Sequence, residues 1–175
     1  MRDRFEIRGR GVVKGKAQGT ALVADTTLSF WGEIDAVSGR VISVGHPLEG
    51  ECLAGRVLVI RSTKGSSATP MMLRLAYLEG NAPVAMVNVE VDGLAALGCI
   101  VNGIPMMTDL ELDPFEAIAT GDEVIVDADT GVLPVVKQRL VSWRQRNVCG
   151  RLLAVGESLL KSSPMTWNRV ICRLG

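Results

Sequence analysis

The sequence predicts a β-rich α/β domain in which strand–helix–strand units are set into an otherwise all-β frame. Three observations predict it. The first forty residues alternate small or apolar side chains with polar ones and are punctuated by glycine. Two short continuous apolar runs, Val57 to Ile60 and Val84 to Val87, bracket a segment of helical periodicity. The stretch from Gly121 to Val136 reads as a hairpin with Asp129-Thr130-Gly131 at its turn.

Taken in chain order, Gly9 to Val23 suits twisted strands with bulges. Its glycines, Gly9, Gly11 and Gly15, miss the dinucleotide-binding pattern by one residue, and no apolar strand precedes them. A polar turn over Asp35 to Gly39 leads into a strand at Arg40 to Val44, and Pro47 with its flanking glycines makes residues 45–51 a loop. Arg56 to Arg61 has the continuous apolar centre of a strand buried on both faces. After a polar turn, Thr69 suits a helix N-cap and Pro70 the first helical position. Met71, Met72, Leu75 and Leu78 recur at helical spacing, which places the Met71–Met72 pair in the core, and Gly80 supplies the stop. Asn81 to Asn88 predicts another buried strand, Val91 to Leu97 a short helical turn ended by Gly98, and Cys99 to Asn102 a further strand before the bend at Gly103-Ile104-Pro105. The sum is a layered β/β/α domain over residues 1–137, followed by a basic C-terminal extension over residues 138–175.

Composition narrows the function. With 175 residues, 47% hydrophobic and 4% aromatic, the chain can bury a core made of aliphatic side chains and methionine rather than rings. No apolar run approaches the roughly 20 residues of a membrane span. The N-terminus has no apolar stretch behind its charges, so the expectation is a cytoplasmic protein with no membrane partner. The net charge of zero hides an asymmetry. Arg139, Arg144, Arg146, Arg151, Lys161, Arg169 and Arg173 face only Glu157 in the extension, which leaves the preceding body acidic. An acidic body argues against nucleic acid as a partner. Cys52, Cys99, Cys149 and Cys172 form no C-x-x-C pair and no ligand cluster with the lone His46, so they read as small buried hydrophobes and no metal is assigned to this chain.

The segment richest in chemistry is Lys64-Gly65-Ser66-Ser67, placed between a buried strand and a helix start. A helix N-terminus offers unpaired N–H groups and the positive end of the helix dipole. Gly65 lets the backbone come close to a ligand, so the turn suits a carboxylate or phosphate. It is not a P-loop, because the lysine precedes the glycine, and it is not a G-x-S-x-G elbow. His46 reads as a loop histidine held by a backbone hydrogen bond before it reads as a catalyst. The serines have two readings: turn and cap hydrogen bonds alone, or a proton acceptor whose alkoxide nearby positive groups stabilise. Lys64 is a solvated turn residue unless an anion sits beside it. Phe30 and Trp31 are either a core plug or a lip to the site.

In their order and spacing these segments resemble the small-domain family of aconitase X. The stretches that carry the resemblance are Gly11-Val12-Val13 with Gly15, Ala17 and Gly19; Leu28 to Asp35; Ser38 to Ile42; His46 to Glu51; Leu53 to Val59; Lys64 to Ser67; Gly80 to Ala85; and Gly98 to Pro105. The resemblance covers roughly residues 8–136. The resemblance implies the swivelling β/β/α domain of aconitase-like enzymes and a hydro-lyase (dehydratase) activity. It also implies a larger partner subunit carrying an iron or iron–sulfur centre, with no cofactor on this chain. Family activities include dehydration of phosphomevalonate in an archaeal-type mevalonate pathway, which is the reading preferred, and of cis-3-hydroxyproline. A non-catalytic anion- or partner-binding module is the alternative from a different class. By similarity to the Gly-Ser-Ser turn of aconitase-like enzymes, Ser66 is the expected base. Ser67, Gly65 and Lys64 are expected to bind a small anionic or hydroxy-acid substrate. Two departures stand out. Ala68 occupies the place where aconitase has an arginine, so carboxylate binding must come from elsewhere. The tail beyond Val136 has no counterpart and is either a lineage-specific extension or a frameshifted end of the reading frame.

Overall fold

The computed structural model describes residues 3–138, so the extension expected over residues 138–175 lies, apart from Gln138, outside the described residues. The elements in chain order are β1 (Arg4–Arg8), β2 (Arg10–Val13), β3 (Lys16–Leu28), β4 (Ile34–Asp35), β5 (Arg40–Val41), β6 (Arg56–Thr63), α1 (Thr69–Leu78), β7 (Ala85–Asn88), α2 (Gly93–Asn102), β8 (Met106–Thr108), α3 (Pro114–Ala117), β9 (Glu123–Asp127) and β10 (Val132–Val136). Eight strands make one mixed sheet in the order β1-β10-β9-β3-β6-β7-β8-β2, and β4 pairs with β5 in a small arm.

β3 joins the two halves of the sheet. Its first residues, Lys16 to Thr20, pair antiparallel with β9, and from Thr20 onward it pairs in parallel with β6. β6, β7 and β8 continue the parallel half, with α1 and α2 as the crossovers between them. The end strands β1 and β2 are separated in sequence by Gly9 alone, so the sheet curls until its two ends meet. Glycine is required at that closure: a Cβ on Gly11 would lie 2.0 Å from the Ala128 carbonyl oxygen. The curled sheet supplies both β layers and the helices supply the third, which is the expected β/β/α arrangement.

Alternation along the strands feeds two cores. Val57 and Val59 of β6 point into the curl with Ile7, Val124, Val126, Leu133 and Val135. Leu58 and Ile60 point the other way, with Leu22 and Met86, against Leu73 of α1 and Cys99 of α2. β6 is therefore buried on both faces, as its unbroken apolar run predicts.

Four sequence expectations are corrected. α1 begins at Thr69 with Ala68 at the N-cap, so Thr69 and Pro70 each sit one position further into the helix than expected, and no side chain caps it. The buried face of α1 is Thr69, Leu73 and Ala76, whereas Met71, Leu75 and Leu78 are exposed and Met72 is half-buried against the core edge. The Met71–Met72 pair is thus not core. Several apolar side chains occur on both sides of this helix, so spacing alone selected the wrong stripe. Gly98 does not end a helix, because α2 runs through it from Gly93 to Asn102 and Cys99 to Asn102 is helical rather than a strand. Its role is close packing: a Cβ there would stand 3.2 Å from Pro70 Cα of α1. The stop comes at Gly103, with φ 64°. The strand expected over Arg40 to Val44 is reduced to Arg40–Val41.

Cys52 is half-buried and Cys99 is buried, and burial pushes the Cys99 thiol up to about 12. Among the described residues no helix is long and apolar enough to cross a membrane. Substituting Leu58→Ala, at a fully buried position between β6 and the helices, is expected to cost about 2–5 kcal/mol in urea unfolding. Met71→Ala, on the exposed face of α1, should stay within about 0.5 kcal/mol of wild type.

Candidate functional site

Because β3, β6, β7 and β8 run in parallel, their carboxyl ends emerge along one edge of the sheet. In open α/β sheets this edge is where ligands bind. Leu28, Thr63, Asn88 and Thr108 are the last strand residues there, and the Lys64-Gly65-Ser66-Ser67 turn is the loop that leaves β6.

The first residue of the turn extends the sheet, with the Lys64 N–H donating to the Leu28 carbonyl at 3.2 Å. The chain then bends back into α1, fixed by the Thr69 N–H donating to the Ser66 carbonyl at 2.8 Å and the Ala68 N–H donating to Ser66 Oγ at 3.3 Å. Ser66 is half-buried and its hydroxyl serves the turn, yet its own proton stays available to donate. Lys64, Gly65 and Ser67 are exposed. Of the helix donors, the Thr69 N–H is taken and Pro70 has none. The N–H groups of Gly65, Ser66 and Ser67 meet no protein acceptor among the described residues. The anion-binding capacity expected of the helix end therefore resides in the turn before it.

Gly65 is informative for what does not require it. Its φ lies outside the left-handed region, and a Cβ would meet Asp92 Oδ1 at 3.5 Å, an ordinary contact. Nothing in the described chain excludes a side chain at this position. Asp92 underlies the turn. It accepts from the Leu94 and Ala95 N–H groups as N-cap of α2, and from Thr63 Oγ1 at 3.0 Å, tying the loop after β7 to the end of β6.

Lys64 is not simply solvated. Its Nζ donates to Glu33 Oε1 at 2.5 Å, while Glu33 Oε2 accepts from the Ser29 N–H at 2.7 Å. Burial pushes the Glu33 carboxyl up. The hydrogen bonds from Lys64 and Ser29 and the charge of Lys64 outweigh it and leave the group below its ordinary value. His46 Nδ1 accepts from the Leu48 N–H at 3.1 Å, the backbone hydrogen bond expected of a loop histidine. That bond assigns the ring proton to Nε2, which is buried without a partner among the described residues. No hydrogen bond joins His46 to Ser66 among the described residues, so the two form no nucleophile–base pair. Phe30 is core and so is the plug, whereas Trp31 is 56% exposed.

Sequence reasoning missed Glu33 and Asp92. Asp92-Gly93-Leu94 carries an N-cap signal, which the misreading of Gly98 as a stop obscured. Glu33 had no local signal for this role, since Lys64 reaches it from the loop after β6, 31 residues away. Thr69 and Asn88, at the same edge, are also buried, with Thr69 Oγ1 and both amide atoms of Asn88 meeting no partner among the described residues. A shallow apolar depression of about 440 Å³ lies between the β4–β5 arm and α1, lined by Trp31, Ile34, Ile42, Met72 and Leu75 among others. A second concavity of about 290 Å³ borders Arg61, Val87, Leu110 and Phe115. Neither is lined by the serine turn. Among the described residues no three His, Cys, Asp or Glu side chains converge as a metal-ligand set.

The family model for the aconitase X swivel domain matches residues 6–135. The chain belongs to this family. Members with which it can be compared include the phosphomevalonate dehydratase small subunit of Methanocella arvoryzae, 38% identical over 74% of this chain and 98% of the relative. The subunit of the same name from Methanosarcina acetivorans is 33% identical over 77% of this chain and 94% of its own length. The crystal structure of Thermococcus kodakaraensis aconitase X in its holo-form superposes with a TM-score of 0.70 at 31% identity, covering 75% of this chain and 98% of that one. Residues beyond 135 lie outside the family match.

The Glu33–Lys64 pair sets a pH dependence. A carboxyl whose folded pKa is lowered contributes stability above its unfolded value near 4.5 and loses it as pH falls through the folded value. Lys64→Met is expected to be less stable than wild type by at most about 1 kcal/mol at neutral pH, because Lys64 is largely exposed. Urea unfolding across the acid range should show that gap closing once Glu33 is protonated.

Proposed function

We propose that this chain is the small subunit of an aconitase X-type hydro-lyase, acting as a phosphomevalonate dehydratase with a larger partner subunit. The observation that carries the reading is a turn with two serines, a lysine and a glycine that its own fold does not require, at the carboxyl edge of a parallel sheet in a chain whose relatives bear that name. In this reading residues 1–137 are the swivel domain and residues 138–175 an appended basic extension.

Dehydration removes a proton from one carbon and hydroxide from its neighbour. Ser66, as its alkoxide, takes the carbon-bound proton, and the double bond forms as hydroxide leaves with its electron pair. An alkoxide needs positive surroundings, which the free N–H groups of the turn and the Lys64 ammonium provide. Ser67 and Lys64 hold the substrate's anionic and hydroxyl groups, and Gly65 leaves room for a substrate or partner to approach the backbone. The iron or iron–sulfur centre implied by the family belongs, in this reading, to the partner. The partner reading is supported by apolar side chains left exposed on the β4–β5 arm and α1, among them Trp31, Ile42 and Val44, the last 90% exposed. The openness of the turn supports a site that a second subunit completes.

The test is reconstitution with the large subunit from the same source, assayed on phosphomevalonate and on cis-3-hydroxyproline. Iron-containing complex with turnover of phosphomevalonate is the expected result, turnover of hydroxyproline alone reassigns the substrate, and absence of association favours a binding module. Ser66→Ala should fold and assemble as wild type and lose about 10²–10⁴-fold in kcat. Gly65→Ala should change stability by no more than about 0.5 kcal/mol yet impair turnover or assembly. Wild-type activity in both variants would remove the turn from the mechanism.

A further inference from the structure

Glu33 lies outside the serine turn yet holds the turn's cation. Its carboxylate bridges two points where chain leaves the sheet: the Ser29 N–H directly after β3, and Lys64 Nζ directly after β6. These exits are already joined by the hydrogen bond from the Lys64 N–H to the Leu28 carbonyl. The carboxylate side chain is 19% exposed and the lysine side chain 53%, so a fixed, sheltered anion anchors a cation that would otherwise be mobile. A free lysine on an exposed turn samples many rotamers, and holding it before a ligand arrives removes that entropy cost from binding. One ammonium proton engages Glu33 and two donors remain. The groups known to act on Glu33 are Lys64, the Ser29 N–H and His46.

Building on the lyase reading, we propose that Glu33 is a positioning residue of the serine site, acting through Lys64 by presenting its remaining N–H donors to the anionic group of the substrate. It touches no reacting atom. Its effect is on substrate capture, and it couples the β4–β5 arm, which follows Glu33 directly, to the binding turn.

Glu33→Gln keeps an oxygen for the Ser29 N–H and removes the charge. In the reconstituted complex it is expected to raise KM for phosphomevalonate about fivefold, the factor a half-exposed ion pair supplies, with kcat unchanged within about twofold. In a Lys64→Met background the same substitution should have no further effect, because its action runs through the lysine. An unchanged KM in the single variant, or an effect that persists without Lys64, overturns the proposal. A second readout needs neither partner nor turnover. With limiting acetic anhydride on the isolated chain, mass spectrometry should show Lys64 acetylated about threefold faster in Glu33→Gln than in wild type. Equal rates overturn the positioning role. A reconstituted wild-type complex without turnover would defeat the lyase reading, while the acetylation rates would still decide whether Glu33 holds Lys64.

Discussion

The burial of β6 on both faces is the constraint on which the molecule depends. One face of this strand fills the curl of the sheet and the other receives the helices, so both cores converge on Val57, Leu58, Val59 and Ile60. Only a strand flanked by neighbours on both edges can be buried this way, and β3 and β7 supply them in parallel. Parallel pairing demands crossover connections, which α1 and α2 provide, and it places the strand exits on one edge. The serine turn sits where it does because β6, buried on both faces through Val57 to Ile60, ends at Thr63.

The same logic explains why polar groups gather at that edge. Strand ends and helix starts leave main-chain groups that neighbouring strands do not satisfy. Asp92 satisfies two N–H groups of α2 and also accepts from the Thr63 hydroxyl, and Glu33 satisfies the Ser29 N–H while holding Lys64. The turn's own N–H groups are left over, together with an exposed serine and a half-buried one. An edge with spare donors, an anchored cation and a glycine free of internal duties has the chemistry to hold an anion and stabilise charge on a serine oxygen. Its openness follows from topology too, since the helices cover the sheet's face and not its end.

Much of the fold was legible in the sequence, for identifiable reasons. The hairpin at Asp129-Thr130-Gly131 has local turn chemistry, and the apolar continuity of residues 57–60 has no explanation other than two-sided burial. The reading failed where several patterns coexist. Met71, Met72, Leu73, Leu75, Ala76 and Leu78 offer more than one apolar stripe, and packing against α2 chose Leu73 and Ala76. Gly98 looks like a helix stop in one dimension and proves to be the point where α2 passes close to Pro70. The serine turn itself was recognisable by its position between a buried strand and a helix, and by its likeness to the aconitase X family.

By itself, then, the sequence determined the class of fold and a polar serine turn between a buried strand and a helix start, because strand burial, turn composition and helix starts are written in local patterns. Only the tertiary structure decided what surrounds that turn. Lys64 meets Glu33 from 31 residues away, Thr63 meets Asp92 from 29, and Gly11 faces Ala128 across the closure of the sheet. Such pairings are set by strand order and register, which bring together segments that carry no mark of one another in the chain.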